Sequence, residues 1–265
     1  MKIIILGATG HVGQNLAYYF SMGAHEVLPY ARGNRRGFLP LENFADAPDA
    51  DILVNCIGVG TPAKEAEIGA ELDFVENMWD NECLNYLKYH NNTAYIYFSS
   101  GVANPKYWND STYCKTKVKM ENKHLSLPLP IWNIRLYSFF SRYINRENTQ
   151  LLPSIIHAIQ NKEVLQVTEQ DIARDYIHPM NLASLLEDIF ICEYPNRIID
   201  VGSRKPIMKS EILSYFKDRY GLKYEYVETE IVDKKPNYVP FFQDPCFLTS
   251  LESLDREAGV LLGGE

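Results

Sequence analysis

Three residue types near the middle of the chain could together move a proton at a carbonyl group. Tyr113 and Lys117 form a Tyr-x-x-x-Lys pair, and Ser100 precedes them in the stretch Tyr97-Phe98-Ser99-Ser100-Gly101. A phenol ordinarily titrates near ~10, too high for efficient proton exchange at neutrality. A neighbouring ammonium favours the phenolate and brings such a group into a useful range. In that arrangement Tyr113 gives a proton to the oxygen of a carbonyl receiving hydride, or removes it in the reverse direction. Ser100 hydrogen-bonds the same oxygen, and Lys117 can also reach cofactor ribose hydroxyls. The Tyr-x-x-x-Lys pattern alone carries little weight in a chain with 18 tyrosines. Ser100 could instead cap backbone groups at a strand end, and Lys117 could share a solvated helix face with Lys115 and Lys119.

A second set of residues is suited to holding a phosphate-bearing cofactor. Gly7-Ala8-Thr9-Gly10-His11-Val12-Gly13 follows the apolar run Ile3 to Leu6 and opens an amphipathic stretch. Glycines there let the backbone approach a pyrophosphate, and the helix behind offers free N–H groups and the positive end of its dipole. Gly7, Thr9, Gly10, His11, Val12 and Gly13 are the candidate contacts. The spacing is GxxGxxG, a variant of the dinucleotide fingerprint GxGxxG. Near the end of the next strand such folds place an acid for a ribose 2′-hydroxyl, or an arginine for a 2′-phosphate. Val27 to Arg36 contains no acid but does contain Arg32, Arg35 and Arg36. Arg32 therefore leans the cofactor towards NADP(H), with NAD(H) still possible. Arg35 and Arg36 read equally well as solvated loop charges.

These groups need elements to position them. Ile3 to Leu6 has the look of a strand buried on both faces. Val12 to Met22 reads as a helix, Glu26 to Ala31 and Ile52 to Ile57 as strands, and Lys64 to Tyr89 as a long helix. Ala94 to Phe98 and Ile131 to Leu136 are two more strands, flanking a helix from about Ser111 to His124. That helix puts Tyr113 and Lys117 one turn apart on one face. Alternating strands and helices predict a parallel sheet covered on both sides. Further on, Pro153 can start a helix before Ile155 to Ile159, and Asn181 to Cys192 is helical. Arg197 to Val201 reads as a strand, Ser210 as the N-cap of a helix to Tyr220, and Leu261 to Glu265 as a frayed tail.

Composition narrows the class. The chain has 265 residues, 46% hydrophobic and 23% charged, with a formal charge of −8. That suits a globular protein with a sizeable core. A net-acidic chain is poorly suited to non-specific nucleic-acid binding. Five cysteines, odd in number and without a CxxC pair, predict a reducing compartment with neither a disulfide framework nor a metal site. No apolar stretch is long enough to span a membrane. The expected setting is cytoplasmic and soluble, with no membrane partner.

Together these residues resemble the extended short-chain dehydrogenase/reductase family, which contains nucleotide-sugar epimerases, dehydratases and reductases. The resemblance spans nearly the whole chain. It rests on Gly7 to Gly13, on Ser99-Ser100, on Tyr113 to Lys117, and on Arg135-Leu136-Tyr137. Its most specific part is Ala173-Arg174-Asp175-Tyr176-Ile177-His178-Pro179-Met180-Asn181-Leu182-Ala183, which is similar to the RDYIHVxDLA segment of UDP-galactose 4-epimerase-like enzymes. The resemblance implies an α/β, Rossmann-type doubly wound parallel sheet with a small C-terminal substrate-binding subdomain. It places residues 1–137 and about 172–202 in the dinucleotide-binding domain, and about 138–171 and 203–265 in the subdomain. It adds Cys56 and Gly58, in Asn55-Cys56-Ile57-Gly58, as cofactor contacts. Arg174 becomes the candidate for a nucleotide diphosphate, and His178 a structural residue. Asn77 sits near the family's helix asparagine. It also implies a homodimer paired through the helix carrying Tyr113.

The departures from the family pattern steer the reading within it. The segment between Ser100 and Tyr113 is short, and no Asp-Glu pair of the dehydratase kind follows Ser100. The expected activity is NADPH-dependent reduction of a keto-deoxysugar carried on a nucleotide. The alternatives are a nucleotide-sugar 4-epimerase with tightly bound NAD and a non-catalytic, cofactor-sensing protein of the same fold.

Overall fold

The computed structural model describes residues 1–58, 71–145, 150–191, 197–228, 237, 239–240 and 244–263. The chain divides into two compact units, residues 1–136 with 182–200, and residues 137–181 with 201–265.

The first unit is built on a seven-stranded sheet. Its strands are β1 (Lys2–Leu6), β2 (Glu26–Ala31), β3 (Leu39–Pro40), β4 (Ile52–Asn55), β5 (Ala94–Ser100), β6 (Ile131–Leu136) and β7 (Ile198–Val201). They lie in the order β7-β6-β5-β4-β1-β2-β3, and every ladder from β6 through to β3 is parallel. The sequence dictates this arrangement. Ile3, Ile4, Ile5 and Leu6 are all fully buried, as a strand with helices over both faces requires. The helices are α1 (His11–Met22), α2 (Glu71–Tyr89), α3 (Thr112–Leu125) and α4 (Pro179–Ile191). Of the long helix expected over Lys64 to Tyr89, residues 64–70 lie outside the described residues. The strand expected over Ile52 to Ile57 stops at Asn55, whose side-chain oxygen accepts from Ile57 N at 3.0 Å and turns the chain. The strand expected to end at Phe98 continues through Ser100. Ser111 caps α3 by accepting from Cys114 N at 3.1 Å.

A layer of buried polar groups lies over one face of β5. Tyr95, Tyr97 and Ser99 alternate along the strand, and each hydroxyl donates to a buried carboxylate. Tyr95 donates to Asp80 at 2.8 Å, Tyr97 to Glu76 at 2.6 Å and Ser99 to Glu121 at 2.6 Å. Glu76 and Asp80 are one turn apart on α2, whereas Glu121 is on α3. Each acid also meets basic side chains: Lys123 and His124 on Asp80, Lys117 on Glu76 and Arg135 on Glu121. Buried ions persist only with partners in this way. Burial opposes ionisation of Asp80, but His124 and Lys123 outweigh it and hold the carboxyl below its usual range.

The second unit packs the helices Leu151–Asn161, Lys209–Tyr220 and Ser250–Leu262 around Ile155, Ile156, Ile212, Leu213, Phe216 and Leu254. A parallel pair of strands, Val164–Thr168 with Lys223–Val227, belongs to the same unit. Two sequence expectations are corrected here. The cap of the Lys209–Tyr220 helix is Met208 rather than Ser210. Ser210 lies in the first turn, where its N–H and hydroxyl both donate to Asp171, while Glu211 accepts from Met208 N. Of the tail expected to fray, residues 264–265 lie outside the described residues. Leu261 and Leu262 finish a helix that begins with a Thr249–Glu252 capping box.

Asp175 in this unit gives a first prediction. Its Oδ1 accepts from Ser203 N at 2.6 Å, and its Oδ2 lies 3.3 Å from Ser203 Oγ. That hydroxyl has one proton and a better acceptor in Lys205 O, at 2.9 Å. The second carboxylate oxygen therefore receives only the weaker share of that hydroxyl proton. Burial pushes the Asp175 carboxyl up to about 6 against the Ser203 bonds. The ordinary value is lower, so the folded state binds the proton more tightly between about pH 4 and 6. The ionised form thus costs stability above pH 6. Asp175→Asn is expected to raise the neutral-pH denaturation midpoint and to flatten its decline between pH 4 and 7. A lower midpoint at pH 7 would show that the ionised group is favoured.

Candidate active site

The sheet order reverses at β1, which has β2 on one side and β4 on the other. Ligands in open α/β sheets bind at such a switch point, outside the carboxyl ends of the strands. The glycine turn leaves β1 there. Gly7 adopts φ +73°, a left-handed conformation suited to glycine. Gly10 N donates to Gly7 O at 2.9 Å, and Gln14 Nε2 donates to Thr9 O at 2.5 Å. Gly10 is the N-cap of α1 and has no side-chain capping bond, and the first turn contains no acid. The helix thus starts at His11 behind a glycine that brings no capping side chain. Cys56 packs its backbone against the turn, within 3.0 Å of where a Cβ on Gly7 would stand. Burial pushes the Cys56 thiol upwards, so it stays a neutral thiol. Arg32 follows β2 directly and is exposed.

Gly13 fixes how closely α1 approaches β1. A Cβ added there would lie 2.4 Å from Gly7 O and 2.9 Å from Ala8 Cα. Backbone cannot yield as a flexible side chain would. Gly13→Ala is expected to cost about 2 kcal/mol through overpacking and to weaken dinucleotide binding by displacing the turn. Thermal unfolding and a dinucleotide titration check both effects; an alanine variant matching the parent in each would show that the turn tolerates the shift. These features fit a bound nicotinamide dinucleotide: a positive-φ glycine, a helix start free of side-chain caps, and a contact that excludes even a methyl group.

The expected proton-transfer residues lie at the carboxyl end of β5 and the start of α3. Ser100 is the last residue of β5. It is buried, and its Oγ is 3.5 Å from Val102 N, at the far limit of a capping bond. Cys114 Sγ donates to Val102 O at 3.2 Å, tying the start of α3 to the turn after Ser100. Tyr113, in the first turn of α3, is half-buried. Lys117 is not on a solvated face. Lys115 and Lys119 are exposed and pair with Asp110 and Asp73, whereas the Lys117 side chain is 6% exposed. Its Nζ donates to Phe98 O at 3.0 Å and Tyr97 Oη at 3.2 Å, and pairs with Glu76 Oε1 at 2.9 Å. It also lies over two rings, 4.9 Å from the centre of Tyr97 and 5.6 Å from that of Tyr113.

Two of these partners, Glu76 and Tyr97, are absent from the residues singled out in the sequence. Asn77, the helix residue suggested by resemblance, instead donates to Asp73 O in its own helix. A signal was present: acids four apart at 76 and 80, facing a strand that alternates Tyr95, Tyr97 and Ser99. Gly58 follows β4, and a Cβ on it would lie 3.6 Å from Glu76 Oε1. Arg135 makes a two-pronged bond to Glu121, at 2.9 and 2.6 Å.

Arg174 belongs to the second unit. It lies on a two-residue strand antiparallel to Ile207–Met208, and its Nη1 donates to Ala173 O at 3.0 Å. His178 is buried there, accepting from Met180 N at 3.1 Å with its other ring nitrogen 3.4 Å from Glu257.

No protein-family model matches the sequence, and no curated protein matches it. Solved structures do match, across nearly the full length. UDP-N-acetylglucosamine 4-epimerase from Methanobrevibacter ruminantium M1, in complex with UDP-N-acetylmuramic acid, superposes with a TM-score of 0.78 at 15% identity, covering 99% of this chain and 97% of that one. UDP-glucose 4-epimerase from Thermotoga maritima gives 0.76 at 12% identity, over 100% and 98%. dTDP-glucose 4,6-dehydratase from Bacillus anthracis, in complex with NAD, gives 0.69 at 14% identity, over 96% of each. The chain has their fold. The expected Rossmann-type architecture, with its mostly parallel sheet between helices, is therefore observed. No helix among the described residues is long and apolar enough to cross a membrane.

Proposed function

We propose that the protein is a nicotinamide-dinucleotide-dependent oxidoreductase acting on a nucleotide-linked sugar, and that it reduces a keto group of a deoxysugar with NADP(H). The observation that carries this reading is the placement of Lys117 against the ring of half-buried Tyr113, at the strand end bearing Ser100. Gly7, Thr9, Gly10, His11, Val12 and Gly13 would hold the pyrophosphate, Cys56 and Gly58 would flank the adenosine side, and Arg32 would meet a 2′-phosphate. The bound cofactor supplies hydride to the ketone carbon. Tyr113 gives its proton to the ketone oxygen, Ser100 donates a hydrogen bond to that oxygen, and Lys117 holds positive charge beside the phenol. Arg174 is proposed to meet the nucleotide diphosphate. Arg32, with no acid nearby in sequence, supports NADP(H) over NAD(H).

A second reading is a nucleotide-sugar 4-epimerase with tightly held NAD, favoured by the likeness in fold to UDP-sugar 4-epimerases. One experiment separates the two. Purified protein is given NADPH or NADH with a panel of nucleotide-linked 4-keto-6-deoxy sugars, and its bound nucleotide is released and identified. NADPH consumption on one panel member supports the reductase. Released NAD with no consumption, together with epimerisation of a nucleotide sugar, replaces it with the epimerase.

A further inference from the structure

Lys117 poses a problem that the proposed chemistry alone leaves open. An ammonium with a side chain 6% exposed has lost nearly all its water. Its ligands from β5 are a carbonyl and a hydroxyl, neither of which carries charge. An isolated lysine in such a place gives up its proton. The groups facing it are Glu76 from α2, Tyr97 from β5, and Tyr113 and Glu121 from its own helix. Glu121 is occupied by Arg135 and Ser99. Asp80, the next acid along α2, is occupied by His124 and Lys123. Glu76 alone has Lys117 as its cation: its side chain is 1% exposed, one oxygen lies 2.9 Å from Nζ, and the other accepts from Tyr97 at 2.6 Å.

We infer that Glu76 is a positioning residue of this site, the counter-ion that keeps Lys117 charged and held beside the Tyr113 ring. The carboxylate fixes Nζ from the α2 side, and Tyr97 braces the carboxylate from the strand. Lys117 thereby remains an ammonium where water cannot support one. Burial pulls the lysine down, yet Glu76, Tyr113 and Glu121 outweigh it and the net shift is upward. The inference concerns the state of Lys117, and only its catalytic consequence rests on the function proposed above.

The test compares the parent with Glu76→Gln and Glu76→Asp, using lysine labelled at Cε and Nζ and a Lys117→Met variant to assign the resonance. In the parent, Lys117 is expected to stay protonated beyond the ordinary lysine range. In Glu76→Gln its titration is expected at least about one pH unit lower, because the largest influence opposing desolvation is then gone. Glu76→Asp, with a shorter reach, shifts it in the same direction by less. In turnover, Glu76→Gln is expected to lose kcat progressively as pH rises through the lowered Lys117 titration, at lower pH than in the parent, while KM for the sugar changes little, whereas a purely structural role would leave the pH profile unmoved. An unshifted Lys117 titration in folded Glu76→Gln overturns the inference; if that variant does not fold, an unshifted titration in Glu76→Asp does so. Absence of turnover in the parent would count against the proposed function and leave the titration result to decide on Glu76.

Discussion

Tyr113→Phe is expected to reduce turnover by about a thousandfold, within the range ascribed to a positioned proton donor, while cofactor binding and the sugar KM stay near the parent values. The substitution removes one hydroxyl and leaves the ring beside Lys117. Two tyrosines flank that lysine, and their surroundings distinguish them. Tyr97 is buried and already donates to Glu76. Burial and that neighbouring carboxylate hold its phenol well above the usual range, so it keeps its proton. Tyr113 is half-buried in the first turn of α3, beside the strand end that carries Ser100. Initial rates with the reactive panel member, alongside a dinucleotide titration, give both quantities. A rate unchanged in Tyr113→Phe would take Tyr113 out of the reaction, and the non-catalytic reading of the fold would then lead.

Glu257→Gln is expected to destabilise the second unit by about 3 kcal/mol at pH 7, the scale of breaking a buried ion pair by removing one partner. Both carboxylate oxygens of Glu257 face donors. Arg142 N and Nε lie 2.7 and 3.1 Å from Oε2, and Arg142 Nη2 lies 3.0 Å from Oε1. A glutamine turns one of these acceptors into a donor that points at donors. Burial disfavours the Glu257 carboxylate, yet the His178 and Arg142 bonds prevail and hold it down at about 2. A depressed acid stabilises fully above its ordinary value, and that stability is lost as pH falls through the folded value. The parent–variant difference in unfolding free energy should therefore be full at pH 7 and 5 and shrink as pH falls from about 4.5 towards 2. Denaturant unfolding, followed by a probe in residues 201–263, measures it. A difference that stays constant down to pH 3 would mean that the charge of Glu257 does not matter to the fold.

Much of the first unit was legible because its signals are local. A run such as Ile3 to Leu6 can bury both faces only in a covered parallel strand. Gly7 to Gly13 announces a strand-to-helix turn, and Ser111 stands where a helix needs a cap. The pairing of Tyr113 with Lys117 on one face follows from helical spacing alone. The second unit was less legible. Its strands are mostly two residues long, and its longer pair, Val164–Thr168 with Lys223–Val227, joins segments far apart in sequence. The Ser210 cap failed for a related reason. A serine before an amphipathic stretch is a sound local signal, but Asp171 takes both of its donors and the helix begins two residues earlier than that cap implies, at Lys209.

By itself the sequence determined which residue types were on offer: a glycine turn suited to phosphate, a basic strand end, and a serine, tyrosine and lysine in order. Tertiary structure alone decided the state of those groups. Lysines at 115, 117 and 119 alternate along the first part of one helix, and nothing in their order says which is dry. Packing of α2 and β5 buries the middle one and gives it Glu76, about forty positions away. Charge and hydration depend on what surrounds a group from every side, and most of those neighbours are distant in the chain.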